Sequence, residues 1–185
     1  TFVKLSRRFY AGADVTAIAR DLLGMWLVTS FPDGLTVGRI VETEAYAGIT
    51  DRASHAWKGK RTDRTEVMYG PPGFAYVYLC YGVHHLFNVV TYATGHPHAV
   101  LIRAIEPVKG IDVMAKRTGK SISDLSITRG PGNLSRAMGI NVGYSGADLL
   151  GDTIFLAKGD AAVPKESIVR SPRIGVDYAA EDALL

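Results

Sequence analysis

An α+β domain built on an antiparallel sheet is the fold this sequence predicts, and three observations carry the expectation. A helix-period pattern near the N-terminus leads directly into a strand, turn and strand pattern. Two further apolar strand runs flank a short glycine-containing turn at residues 81–84. No repeat, low-complexity tract or linker divides the 185 residues, of which 47% are hydrophobic, so one core and one domain over 1–185 are expected. The sheet is expected to be curved, with flanking helices and one protruding β-hairpin.

The elements follow in order. Asp14 is placed to cap a helix in which Val15, Ile18, Ala19 and Leu22 recur at helical spacing, and Gly24 stops it. Residues 25–31 read as a strand, Asp33-Gly34 as a two-residue hairpin turn, and 35–46 as the returning strand. Alternation along that strand puts Ile40, Glu42, Glu44 and Tyr46 on one face. Residues 47–69 are polar and basic without period, which predicts a long loop with short helical pieces. After Gly70-Pro71-Pro72-Gly73 come strands at 74–80 and 85–91, with Tyr81 at the tip between them, and a further strand at 99–105. Pro107 is read as opening a helix with Val108, Ile111 and Met114/Ala115 inward, ending near Gly119. A short helix is expected at 122–127 and another after Gly130-Pro131-Gly132, with Leu134, Ala137 and Met138 apolar. Strands are expected near 153–156 and 173–176.

Lys and Arg exceed Asp and Glu by only three, but the surplus is local. Residues 52–136 hold twelve bases and five acids, so the middle of the chain is where a phosphate backbone would be met. Cys80 stands alone, which excludes an intramolecular disulfide; in an apolar strand it reads as a buried thiol of a reducing compartment. No apolar run reaches the ~18 residues of a membrane span, and the N-terminus lacks a signal-peptide core. A soluble intracellular protein is expected.

Three groups of residues suggest chemistry. Glu42 and Glu44 lie two apart on one strand face, where a carboxylate can deprotonate a water or stabilise positive charge developing on a sugar. Strand glutamates are most often only solvated, and the sequence does not choose between the two. Tyr76 and Tyr78 share a face, and Tyr46 joins them if its strand pairs with theirs; aromatic pairs of this kind hold planar bases, although tyrosines also simply fill half-buried strand positions. Tyr81 at a hairpin tip has little packing role and suits insertion between base pairs. The five histidines form no HExxH, and a single cysteine rules out the zinc deaminase signature, so no metal or other cofactor is expected.

These residues sit in segments that resemble the alkyladenine (3-methyladenine, methylpurine) DNA glycosylase family. RIVETEAYAGITDRASHAW is similar to its catalytic strand and following loop, PPGFAYVYLCYGVHHLFNVV to its pocket strand and wedge hairpin, and AVLIRAIEP and RGPGNL to later signatures, over about residues 22–176. The resemblance implies that Glu44 activates the attacking water and that Tyr46, His55 and Tyr78 surround the extrahelical base. It makes Asn88 a gate against guanine's 2-amino group and Tyr81 the minor-groove wedge. Arg103 becomes a phosphate contact, and Lys60 and the turn Gly130 to Asn133 further backbone contacts. Asn133 stands where the family commonly has Lys, His84 where it often has an aromatic, and the family's closing basic and aromatic segment is expected to be missing after Leu185. The implied activity is that of a monomeric, monofunctional glycosylase of base excision repair acting on damaged purines in double-stranded DNA, without lyase chemistry. The alternatives are a non-catalytic nucleic-acid-binding module and a nucleoside hydrolase, which the basic middle and tip aromatic disfavour.

Overall fold

Helix α1 (Arg7–Tyr10) is a single turn, and α2 (Val15–Asp21) begins as the sequence suggests. Asp14 Oδ1 accepts from the amides of Thr16 and Ala17 at 3.0 Å, satisfying two otherwise free donors at the helix start. Val15, Ile18, Ala19 and Leu22 enter the main core with Leu27, Phe87, Val100, Ile102 and Leu134. The computed structural model describes residues 1–184, and within it six strands form one curled antiparallel half-barrel. They are β1 (Trp26–Phe31), β2 (Gly34–Tyr46), β3 (Ala75–Cys80), β4 (His84–Thr91), β5 (His98–Lys109) and β6 (Ile154–Ala157), in the order β3-β4-β5-β2-β1-β6. Among the described residues no helix is long and apolar enough to cross a membrane.

The β1–β2 turn is shifted by one from the expected Asp33-Gly34. Phe31 faces Gly34, so Pro32 and Asp33 are the two loop residues. Proline fixes φ near the value required at the first central position of a turn, and this outweighs the aspartate–glycine signal.

Alternation along β2 also fails at one point. Ile40 faces Ile105 and Glu42 faces Ala104, so Val41 is bulged out; Glu42 and Thr43 then face Ala104 and Ile102, so Arg103 is the extra residue on β5. A bulge inverts the inside-outside phase. Ile40 therefore joins Ala45 in the main core rather than sharing a face with Glu44 and Tyr46. Beyond the bulge Thr43 bonds to the Ala19 carbonyl on α2, leaving Glu42, Glu44 and Tyr46 to the opposite face.

Residues 47–69 contain three 3₁₀ turns, Gly48–Thr50, Trp57–Gly59 and Glu66–Tyr69, as the sequence predicts. Elsewhere it misleads in three places. Pro107 lies within β5 opposite Gly38, and α3 (Ile111–Thr118) starts only after Gly110, at φ 76°; Val108 and Ile111 are exposed while Met114 is buried. Residues 122–127 form turns, because Asp124 and Ser121 accept from the amides of Ser126 and Ser123 in place of helical bonds. Arg173 to Val176 makes a turn rather than a strand, with its polar groups directed at side chains of the site described below. Helix α4 (Pro131–Met138) forms as expected, burying Leu134, Ala137 and Met138.

Candidate active site

One row across four strands assembles the centre of the site. Tyr76 on β3 faces Asn88 on β4, Asn88 faces Leu101 on β5, and Leu101 faces Glu44 on β2. Tyr46 does reach the tyrosines of β3, but not because their strands pair: β4 and β5 lie between them, and the curl of the sheet closes the distance. The cavity so formed holds about 370 Å³ and is walled by Glu44, Tyr46, His55, Tyr76, Tyr78 and Asn88, with Leu101 and Arg103 beside them. Cys80 also lines the cavity and is half-buried, rather than the buried thiol its strand suggests.

Glu44 is 7% exposed. A buried carboxylate is costly unless its oxygens are satisfied, and here both are. Oε1 accepts from the Ile174 amide at 2.8 Å, with Arg103 Nε at 3.6 Å, and Oε2 accepts from the Tyr46 hydroxyl at 2.9 Å. Arg103 is mostly buried and donates its Nε to Glu42 Oε1 at 2.9 Å, so it stands as a cation between the two glutamates. Glu42 is the more exposed of the pair, which separates it from Glu44 where the sequence could not.

The aromatic walls are interlocked. His55 Nδ1 shares a hydrogen with the Tyr76 hydroxyl at 2.9 Å, its ring stands edge-on to Tyr78 at 4.5 Å, and Tyr76 and Tyr78 lie 5.5 Å apart at 33°. Burial, aided by the charges of Arg64 and Lys60, lowers the His55 pKa from 6.5 to about 4, so the imidazole is neutral near pH 7. Burial also pushes the Tyr76 phenol up to about 12, and those of Tyr46 and Tyr78 higher still. Asn88 is buried, and its amide nitrogen donates to the carbonyls of Tyr76 and Leu86 at 3.2 and 3.3 Å.

Tyr81 is 93% exposed at the tip of the β3–β4 hairpin. The Val83 amide bonds to Cys80 O, and Tyr81 and Gly82 occupy the two central positions at φ 51° and 69°, a left-handed pair matching the twist of a hairpin. Just past the tip of this hairpin the His84 ring lies against α4: a Cβ on Gly132 would lie 2.8 Å from His84 Nδ1. Gly130, at φ 85°, and Asn133 flank Gly132 in sequence, and the Asn133 side-chain amide donates back to the Arg129 carbonyl at 3.1 Å. Lys60 is exposed on the other side, near enough for its charge to act on His55. Seven of the ten candidate residues, Glu44, Tyr46, His55, Tyr78, Tyr81, Asn88 and Arg103, line this cavity, and Lys60, Gly130 and Asn133 lie outside its lining.

Sequence reasoning missed the C-terminal wall. Ile174, Gly175, Val176 and Tyr178 complete the cavity, with Tyr178 71% exposed at its mouth. Behind them Arg173 pairs with Asp51, both wholly buried. No local spacing signals a pair 122 residues apart.

Known proteins resemble this chain over most of its length. The family model described as methylpurine-DNA glycosylase matches residues 8–185. A protein of Desulfitobacterium hafniense named "Putative 3-methyladenine DNA glycosylase" is 47% identical over 185 residues, covering 96% of this chain and 90% of the relative. Proteins of the same name from Carboxydothermus hydrogenoformans and Methanocella arvoryzae are 50% and 48% identical, covering 94% and 97% of this chain and 88% of each relative.

Proposed function

The chain belongs to the methylpurine-DNA glycosylase family, and from that premise we propose that it excises alkylated or deaminated purines from duplex DNA as a monofunctional glycosylase of base excision repair. The observation that carries the reading is the buried, doubly anchored Glu44 carboxylate at the edge of a cavity walled by tyrosines and a neutral histidine.

In this reading the damaged nucleotide rotates out of the stack at a cost of a few kcal/mol, least where pairing is already weakened, and Tyr81 fills the gap it leaves. The purine enters between Tyr46, Tyr78 and His55. The bond from C1′ to the base nitrogen breaks with its electron pair going to the base, and positive charge grows on the deoxyribose. Glu44 stabilises that charge and takes a proton from a water whose oxygen bonds to C1′, leaving an abasic site. Cationic bases such as 3-methyladenine leave as neutral molecules. Hypoxanthine and ethenoadenine need a proton in order to leave. No lysine joins the sugar, so no strand cleavage accompanies excision. Arg103, Lys60 and the turn at Gly130 to Asn133 meet the sugar-phosphate backbone. The enzyme acts as a monomer, inside the cell with DNA.

The test is incubation with duplexes holding single 3-methyladenine, hypoxanthine or ethenoadenine residues, with and without alkali. Alkali-dependent strand breaks at the lesion are expected; binding without breaks would make the protein a recognition module, and breaks without alkali would contradict the absence of lyase chemistry.

A further inference from the structure

The Arg173 and Asp51 side chains are 1% and 0% exposed. Nη1 donates to Asp51 Oδ2 at 2.7 Å and Nη2 to Oδ1 at 2.8 Å. Burying two ions costs several kcal/mol each before their attraction offsets it, so such a pair is weak evidence of added stability. Its partners indicate another use. Nη1 also donates to the carbonyl of Ala45, the residue after Glu44, at 2.7 Å, and the guanidinium lies 4.7 Å from the centre of the Tyr46 ring, whose hydroxyl holds Glu44 Oε2. Asp51 accepts from the amides of Ala47 and Ala53 at 2.9 Å, within the loop that carries His55. The residue after Arg173 is Ile174, whose amide holds Glu44 Oε1. The Ile174 side chain is 61% exposed, so packing does little to place that amide and the Arg173 anchor does much.

We propose that the Asp51–Arg173 ion pair positions Glu44 for the reaction, fixing the Ile174 amide on one carboxylate oxygen and the Tyr46 ring behind the other. This rests on the glycosylase reading above. Neither member of the pair lines the cavity that would receive the base, so both are positioning residues rather than catalytic ones. With one oxygen held by an N–H and the other by an O–H, the carboxylate cannot turn about its own axis. Loss of that constraint displaces it by an ångström or so, a misplacement worth roughly 10²-fold in rate.

The experiment measures single-turnover excision at saturating enzyme, together with duplex affinity, for Asp51→Asn and Ile174→Pro. Saturation removes the folded fraction from the rate: a purely structural role lowers the active concentration and leaves the plateau rate unchanged. The expected result is a plateau rate reduced roughly 10²-fold in Asp51→Asn and at least about tenfold in Ile174→Pro, with duplex affinity nearly constant. Ile174→Pro deletes the amide hydrogen bond on Glu44 Oε1, so it tests the link from Arg173 to the carboxylate even where Asp51→Asn does not fold. Wild-type plateau rates in folded Asp51→Asn, or in folded Ile174→Pro, overturn the proposal. An inactive wild-type enzyme removes the glycosylase reading and this inference with it.

Discussion

The Tyr46 hydroxyl donates to Glu44 Oε2 across 2.9 Å, between two residues that share a strand face because they are two positions apart. Burial first, then the neighbouring carboxylate, raises the phenol's pKa far above its ordinary 10, so Tyr46 remains a donor at every working pH. One of the two carboxylate oxygens is thus held from within its own strand.

Glu44→Gln keeps the shape of that side chain and removes its charge and basicity. Single-turnover excision is expected to fall by at least ~10² with duplex binding retained, the loss usual for a general base. Glu42→Gln, at the exposed end of the Arg103 contact, should be much milder. Retention of more than about a tenth of the wild-type rate in Glu44→Gln would remove Glu44 from the role.

Tyr81→Ser removes an exposed ring at the edge of the cavity and leaves Glu44, Tyr46, His55, Tyr78 and Asn88 in place. Weaker duplex binding and slower excision are expected, with a smaller penalty where the lesion already pairs poorly, because the mutant meets a lower unstacking cost there. Equal rates for mutant and wild type on a well-paired lesion contradict a wedge.

Asn88 is the sharpest test of specificity. Its amide nitrogen donates to the Tyr76 and Leu86 carbonyls, which fixes the side chain, so a gate here would act by volume. Asn88→Ala or Asn88→Ser should raise excision of guanine lesions relative to hypoxanthine. A sharp fall in Tm with an unchanged rate ratio would make Asn88 purely structural.

His55 links the site to acid stability. Its folded pKa of about 4 lies below the unfolded 6.5, so between these values the unfolded chain binds more protons. Stability is therefore full above about pH 6.5 and is lost as pH falls toward 4, by roughly 3 kcal/mol in all for this group. His98, depressed mainly by burial, adds in the same direction. Urea midpoints measured across this window should fall with pH, and His55→Asn should flatten the fall; a parallel curve in the mutant would disprove the assignment.

Among the described residues no three His, Cys, Asp or Glu side chains stand together as metal ligands. Excision is expected to proceed undiminished in EDTA. Loss restored by zinc or magnesium would require a different mechanism.

The strands, α2, α4 and the tip aromatic are legible in the sequence because each rests on local chemistry: an Asp cap, a glycine stop, alternation, a turn residue in place. Glu44 is legible only as one of two glutamates, since what separates them is burial set by distant partners. Simple alternation assigns Ile40 to the wrong face because one bulged residue inverts every later parity, and nothing in Val41 announces it. The composition of residues 173–176 suggests a strand, whereas Arg173 and the Ile174 amide answer to Asp51 and Glu44, more than a hundred positions away. Short-range patterns cannot register such contacts.

Tyr81 adopts φ 51°, a region costing a bulky side chain on the order of 1 kcal/mol, and it does so almost entirely in solvent, where no packing offsets the strain. Folding alone would favour glycine there. A screen of this chain for thermal tolerance should therefore recover Tyr81→Gly among its winners, and a screen for survival under alkylating agents should discard the same variant, so that heat and DNA damage select in opposite directions at one codon.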